Sequence, residues 1–212
     1  MTLDLSDDFS GLIDGLQSVT LLRPGSSFSA VVPHALCRMV KSSEAAPSAG
    51  WYTTSDVAWH LPADELPESP RLGDVIVDAY GQRWTILTVR AAALATRWRC
   101  VARDLAAAHG LDNTVRIEKA SYAKGESGAE EVVWRLWKAG LRARIQPVAQ
   151  QAKDEHERTV TAATFKVLVA EDLDVDHHCR VRGPDGKTYR VLSYRKGERI
   201  DALGEITVAE EG

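Results

Sequence analysis

Short runs of apolar residues alternate with polar ones along most of this chain. Val57, Trp59 and Leu61 are each separated by one residue, and Phe165, Val167 and Val169 repeat the pattern in the second half. A period of two puts such side chains on one face of a strand. The runs are short and are separated by turns at regular intervals, which is typical of small barrels or sandwiches. The pattern predicts a mainly β protein.

A ten-residue stretch that occurs twice organises these strands. It starts at Gly81 and again at Gly186, 105 residues later. In both copies a glycine, an aromatic residue, an aliphatic residue, leucine, a hydroxyl residue and arginine follow in the same order. Each glycine suits the positive φ of a tight hairpin turn. Because the offset is close to half of the 212 residues, we expect two tandem small β-barrel domains.

The repeat sets the expected domain boundaries. We place one β-barrel domain at residues 19–105, a linker at 106–113 and a second β-barrel domain at 114–212. Residues 1–18 are predicted to form a short N-terminal helical arm. Its apolar residues share one helical face; they are Phe9, Leu12, Ile13 and Leu16.

One segment breaks the symmetry between the two halves. Residues 127–130 have the composition of a capping box, and Gly140 can end a helix. We therefore predict a helix inserted at residues 127–140, where the first domain has only a short turn at 23–27. Trp134 and Trp137 share one face of this helix. It is expected either to cover an open barrel end or to form a subunit interface, where tryptophan is enriched.

Composition narrows the class of protein. The formal net charge of −4 argues mildly against a general nucleic-acid binder. No apolar run is long enough to span a membrane, and no secretory signal opens the sequence. The three cysteines are widely spaced, which favours reduced thiols in a cytosolic compartment over a disulfide framework.

No arrangement of residues points to catalysis or to a cofactor. Neither Cys37 nor Cys100 is surrounded by a recognisable nucleophile signature, and no phosphate-binding glycine loop is present. Several possible metal ligands do occur together, namely Asp172, Asp174, Asp176, His177 and His178. Adjacent histidines on a strand point to opposite faces, so we expect no metal site. The prediction is a protein that is not an enzyme, with no cofactor.

The best nucleic-acid candidate is the segment Arg97, Trp98 and Arg99. Basic residues interleaved with an aromatic one can contact phosphate and stack on a base. On a strand, however, Trp98 would face away from both arginines, as in any amphipathic strand with a solvated face. Arg97 and Arg99 could still meet acidic neighbours across a subunit interface.

The second half resembles a known family. Residues 141–148 (Leu-Arg-Ala-Arg-Ile-Gln-Pro-Val) are similar to the opening strand of the head–tail joining, or head–tail adaptor, proteins of tailed bacteriophages. An alternating strand at 164–169 follows, then a hairpin and an acidic closing strand at 205–211. The hairpin is matched by Val181, Gly186, Tyr189, Val191, Ser193 and Tyr194. The resemblance covers about residues 114–212 and, more faintly, 19–105, whereas family members usually have one such domain.

The resemblance implies a structural role in the virion, assembled in the host cytoplasm. Members of this family are small β-barrel proteins that form rings beneath the portal and let DNA pass through the lumen. The implied partners are further copies in a hexameric or dodecameric ring, a portal or adaptor protein above, and a tail terminator or tail-tube protein below. DNA would pass without specific binding, since like charge prevents adhesion. The candidate lumen-loop residues are acidic; they are Asp64, Glu65, Glu68, Asp172 and Asp174.

Two other functions remain open at this point. A tandem small-barrel module that binds nucleic acid or peptide is favoured by the segment at Arg97 to Arg99. A tail-tube or baseplate component built from the same kind of barrel is a weaker alternative. The leading hypothesis is a head–tail connector or head-closure subunit of the phage neck, which has Arg97, Arg99, Trp134 and Trp137 as its candidate interface residues.

Overall fold

The described part of the chain folds mainly as β-strands, which confirms the predicted class. A computed structural model describes residues 14–92, 95–124, 130–148 and 163–211. The chain divides into two compact units. The first extends to Ala108 and includes Arg199–Asp201; the second comprises the rest of the chain from His109. The division falls inside the predicted linker at 106–113.

The first unit is a closed antiparallel barrel of six strands. They are β1 (Leu16–Leu22), β2 (Ser29–Met39), β3 (Val57–Pro62), β4 (Val75–Val77), β5 (Arg83–Ala92) and β6 (Arg97–Arg103). Their order around barrel 1 is β1-β2-β3-β6-β5-β4. Two short helices, α1 (Ser42–Ala45) and α2 (Leu105–Ala108), and a 3₁₀ turn at Ala46–Ser48 complete its regular structure among the described residues.

The second unit repeats this topology. Its strands are β7 (Asn113–Lys124), β8 (Glu130–Pro147), β9 (Thr164–Val169), β10 (Cys179–Arg182), β11 (Thr188–Arg195) and β12 (Gly204–Glu210). The closed order β7-β8-β9-β12-β11-β10 corresponds strand for strand to that of barrel 1. The predicted tandem pair of small barrels is therefore confirmed.

The sequence repeat coincides with equivalent structure in the two barrels. Gly81 and Gly186, which open its two copies, have φ of +79° and +81°. The pairing of β5 with β6 is interrupted between Ile86 and Thr88. The pairing of β11 with β12 is interrupted between Val191 and Ser193, the same positions of the repeat. Even this local irregularity of the ladder has been duplicated.

Each barrel closes around its own apolar core. In barrel 1 the predicted inward face of β3 is confirmed, because Val57, Trp59 and Leu61 are all buried. Trp59 is 1% exposed, and its ring packs edge-on against the ring of Trp84, with 6.4 Å between the ring centres. Barrel 2 has smaller core residues, which include Ile117, Val167, Val169, Val181 and Ile206. The alternation of β9 is confirmed in the same way.

The predicted helix at residues 127–140 is wrong where the structure describes it. Residues 130–140 belong to β8, which pairs with β7 from Lys124 and Glu130 inward. The segment forms a strand because β-branched and aromatic side chains suit a pleated strand better than a helix; here they are Val132, Val133 and two tryptophans. Part of the capping box, residues 127–129, lies outside the described residues. The place of the insertion was predicted correctly, because barrel 1 has only the turn from Arg23 to Phe28 there.

The predicted N-terminal arm lies mostly outside the described residues, which begin at Asp14. Of the four apolar residues predicted to share its helical face, only Leu16 is described, and it is the first residue of strand β1. Barrel 1 therefore starts before residue 19. Strand pairing with Leu36 of β2 accounts for this, since it satisfies the backbone of Leu16 within the sheet.

Candidate functional site

A two-stranded extension of β7 and β8 stands apart from the closed wall of barrel 2. We call residues 120–124 and 130–137 the hairpin arm. Strand β10 pairs with β7 only as far as Lys119, and β9 pairs with β8 only from Ala143 onward. Several large apolar side chains of the hairpin arm are exposed; they are Tyr122, Val132, Val133, Leu136 and Trp137.

The two tryptophans predicted as interface residues lie on opposite faces of the hairpin arm. Trp134 is paired with Ala120, and the Arg180 guanidinium lies 4.4 Å from the centre of its ring. Trp137 lies beside a break in the pairing, and the Lys119 ammonium is 4.3 Å from its ring centre. These cation–π contacts hold both indoles at the base of the arm. Trp137 nevertheless remains 40% exposed.

The two arginines predicted as interface residues lie on strand β6 of barrel 1. Trp98 packs against the core, so Arg97 and Arg99 project from the outer face, as the alternation predicted. Arg99 pairs across the sheet with Arg90 and His60, and it forms an ion pair with Glu44. The structure thus places Arg97 and Arg99 in barrel 1, whereas Trp134 and Trp137 belong to barrel 2.

His60 lies on this face, and its pKa is lowered mainly by burial. Burial, followed by the charges of Arg97, Arg99 and Arg38, lowers the pKa of His60 from its ordinary value to about 4. The imidazole is therefore neutral near pH 7. The nearby arginines add to the effect of burial, and Glu44 opposes it.

The acidic residues predicted to line a lumen in barrel 1 are mostly paired. Glu65 accepts a hydrogen bond from the His34 backbone N–H at 3.2 Å and lies 2.5 Å from its ring Nδ1. Glu68 lies 2.7 Å from a guanidinium nitrogen of Arg23, whose hydrogen bond lowers the pKa of this carboxyl. Asp64 is exposed. The negative charge of this loop is partly neutralised within barrel 1.

The corresponding acids of barrel 2 are paired as well. Asp172 forms an ion pair with Lys196 and accepts a hydrogen bond from the Tyr194 hydroxyl at 3.3 Å. Asp174 is almost fully exposed, and its carboxylate lies 3.4 Å from the Lys119 ammonium. These contacts fix the loop ahead of β10 to the barrel wall.

Asp176, His177 and His178 come close enough together to be considered as a metal site. Their possible ligand atoms all lie within 4.8 Å of one another, and the two imidazole rings are 4.0 Å apart. The expectation that the histidines point to opposite faces is wrong, because they lie in a turn before β10 and not on a strand. The turn itself explains the geometry, since Asp176 accepts a hydrogen bond from the His178 backbone N–H at 2.9 Å. We assign no metal to it.

The three cysteines lack the features of an activated nucleophile. Burial raises the pKa of Cys100 to about 12 and also raises the pKa of Cys37 and of Cys179. A nucleophilic cysteine needs a lowered pKa, because the thiolate is the reactive form. The Cys179 thiol instead donates a weak hydrogen bond to Asp176.

Sequence reasoning missed a group of arginines on the outer wall of barrel 2. We call Arg116, Glu118, Arg180, Arg182 and Arg190 the arginine face. Arg116 pairs directly with Arg182, and Arg180 pairs with both Glu118 and Arg190. The core residues that alternate with them are buried, which turns these side chains outward. The sequence signal was the alternation Cys-Arg-Val-Arg at residues 179–182 beside Val-Arg-Ile-Glu at 115–118.

An open groove of about 350 Å³ lies at one end of the arginine face. Arg116 and Arg182 line it together with Leu136 from the base of the hairpin arm. The turn at Gly183 and Gly186 closes one side. The groove thus brings two guanidinium groups and backbone atoms beside an apolar side chain.

No protein-family model and no curated protein matches this chain. Among the described residues, no helix is long and apolar enough to cross a membrane.

Proposed function

We propose that this protein is a ring-forming structural subunit of the neck of a tailed phage, acting as a head–tail connector or head-closure protein. Its role would be assembly without catalysis, at a position in the virion between a portal or adaptor protein and a tail terminator or tail-tube protein. The observation that carries this proposal is the hairpin arm with its exposed apolar side chains.

The hairpin arm has the physical properties of an assembly element. An isolated two-stranded hairpin is marginally stable in water, because it lacks a third strand or a packed face. Tyr122 is 59% exposed and Leu136 is 60% exposed, although both are large and apolar. Exposed apolar clusters of this kind mark interaction sites. Packing against a neighbouring copy would cover them, in the head-to-tail contact that closes a ring.

The resemblance to head–tail joining proteins supports the same proposal. The segment at residues 141–148 occupies the barrel part of β8, and the hairpin motif lies on β10 and β11. The acidic closing segment corresponds to β12. Two barrels per chain suggest that six copies present twelve barrels, which would suit a junction between rings of different symmetry.

The test is the assembly state of the wild type and of two matched variants. The arm variant replaces Tyr122 and Leu136 by serine. The control variant replaces Trp51 and Leu72 by serine, which are 70% and 57% exposed in barrel 1. Mass is measured by light scattering, alone and with a portal complex, and the same fractions are imaged by negative-stain electron microscopy.

We expect rings from the wild type and from the control, and smaller species from the arm variant. The two variants remove comparable exposed apolar surface, so a difference between them reports on the arm itself. Rings that survive in the arm variant would contradict the role given to the hairpin arm. A wild type that stays monomeric with and without portal would contradict the proposed function.

A further inference from the structure

The arginine face concentrates positive charge in a chain whose net charge is −4. Four arginines share it with one acid, Glu118, which lies 2.6 Å from Arg180 Nε and 3.6 Å from Arg182 Nε. Among the described residues, Arg116 and Arg190 have no acidic partner, and Arg182 Nε has no hydrogen-bond partner. The face is therefore positive even after its internal ion pairs are counted.

The geometry of the sheet makes this arrangement unfavourable for folding. Arg116 lies directly opposite Arg182, and Arg180 lies directly opposite Arg190. Like charges at directly opposed positions of antiparallel strands destabilise the sheet. Two such pairs lie side by side on β7, β10 and β11. Because these pairs do not stabilise the fold, we expect the arginines to serve binding.

Barrel 1 shows that the fold does not require these arginines. The pairing of Ile76 with Trp84 corresponds to that of Val181 with Tyr189, which fixes the equivalent positions. Thr20 and Val77 pair where barrel 2 pairs Arg116 and Arg182. In the same way the counterparts of Glu118, Arg180 and Arg190 are neutral; they are Leu22, Val75 and Thr85. At these positions the positive charge is thus specific to barrel 2.

We infer that the arginine face is a binding site for the phosphodiester backbone of a nucleic acid. Guanidinium groups suit phosphate because their planar donors can bind two oxygens at once. Arg180 and Arg182 are two residues apart on one strand, roughly 6.6 Å, a spacing comparable to that of successive phosphates. Arg116 and Arg190 extend the array onto the two neighbouring strands, about 4.8 Å away on either side.

The surroundings favour a nucleic acid over an acidic protein. The groove at Arg116 and Arg182 is open, and the turn at Gly183 and Gly186 lines it. Trp134 adjoins the arginine face, with one side of its indole against the Arg180 guanidinium, and an aromatic ring beside arginines can contribute stacking to a base. An array of four arginines with a single acid, next to an aromatic ring, is a combination suited to sequence-independent contact with a nucleic acid.

The test measures DNA binding by the full chain and two variants of equal charge. The face variant carries the residues of barrel 1, as Arg116→Thr, Arg182→Val and Arg190→Thr. The control variant is Arg71→Gln, Arg195→Gln and Arg199→Gln, three exposed arginines that each have an acidic partner. Fluorescence anisotropy follows labelled duplex and single-stranded DNA of mixed sequence over a range of salt concentrations.

We expect the wild type and the control to bind and the face variant to lose at least about tenfold in affinity at low salt. The slope of log affinity against log salt should fall by about 0.9 for each phosphate contact removed from duplex DNA. Circular dichroism and the urea midpoint should show the face variant folded and at least as stable as the wild type. A single strand that binds more tightly than the duplex would place Trp134 in the site.

Three outcomes would overturn the inference. One is the absence of DNA binding by the wild type at low salt, and another is an equal loss in the face and control variants. The third is displacement of DNA by polyglutamate at equal charge concentration, which would indicate an acidic protein partner instead. The inference does not rest on ring formation: arginine-dependent DNA binding without rings contradicts only the proposed function, and rings without it contradict only this inference.

Discussion

Breaking the buried ion pair between Asp56 and Arg103 should strongly destabilise barrel 1, because it leaves a charge without its partner. The Asp56 carboxylate is fully buried and accepts hydrogen bonds from Arg103 Nε and Nη2, each at 2.8 Å. It also accepts the Thr53 backbone N–H at 2.8 Å. Asp56→Ala removes the acceptor of all three bonds and leaves the guanidinium without its closest counter-charge.

The expected cost follows from the burial of the pair. Removing one partner of a buried ion pair costs about 3–5 kcal/mol. The Arg103 side chain keeps 15% exposure, so water reaches it and the cost belongs at the lower end, about 3 kcal/mol. With a urea slope of about 2 kcal/mol per molar, the unfolding midpoint of barrel 1 should fall by about 1.5 M.

The assay is urea unfolding followed by tryptophan fluorescence, because four of the six tryptophans lie in barrel 1; they are Trp51, Trp59, Trp84 and Trp98. A double-mutant cycle with Arg103→Met isolates the coupling between the two side chains, for which we expect about 2 kcal/mol. A coupling below about 0.5 kcal/mol would match an exposed surface pair and would refute the reasoning.

Two further predictions concern one residue in each barrel. The pKa of His60, lowered to about 4, lies below its unfolded value, so the unfolded chain binds more protons between these values. The free energy of unfolding of barrel 1 should fall by on the order of 2 kcal/mol as pH falls from about 6.5 to 4. His60→Gln should remove this contribution to the pH dependence of stability, which urea unfolding at several pH values measures. In barrel 2, a Cβ at Gly204 would lie 2.9 Å from the Tyr194 hydroxyl oxygen. Gly204→Ala should therefore lower stability by about 1–3 kcal/mol, measured by thermal unfolding. Because Tyr194 also packs against the core, Tyr194→Ala has a cost of its own, and the two changes together should cost less than the sum of the single variants. An unchanged melting temperature of Gly204→Ala would contradict this packing.

The duplicated barrels could be predicted because their signals are local and repeated. Alternation along β3 and β9, and the paired glycines at 81 and 186, each reflect a backbone requirement that a short stretch of sequence satisfies by itself. The bulge after Ile86 was not predictable, because it depends on which residue of β6 lies opposite. The same interruption recurs at the equivalent position between β11 and β12.

The hairpin arm shows how a local signal can mislead. A capping box and a terminal glycine predicted a helix over residues 127–140, but such motifs stabilise a helix only if it forms. The β-branched residues Val132 and Val133, with β7 available as a partner, favour a strand. Trp134 and Trp137 were correctly singled out as large side chains of this insertion, although their contacts with Arg180 and Lys119 depend on strand pairing.

The arginine face was missed because it combines residues from three strands. The negative net charge of the whole chain argued against nucleic-acid binding, because acidic residues outnumber lysines and arginines in the whole sequence. Only the register of β7, β10 and β11 brings Arg116, Arg182 and Arg190 onto one face. The acidic residues of the predicted lumen loops, in contrast, are largely satisfied by neighbours such as Arg23 and Lys196.

The most direct test of the proposed role is the solution mass of the full chain by light scattering, with negative-stain images of the same fractions. The account predicts a closed ring whose mass is a multiple of the 23.2 kDa subunit, formed alone or on addition of a portal complex. A protein that stays at 23.2 kDa under both conditions, with no rings in the images, would contradict it.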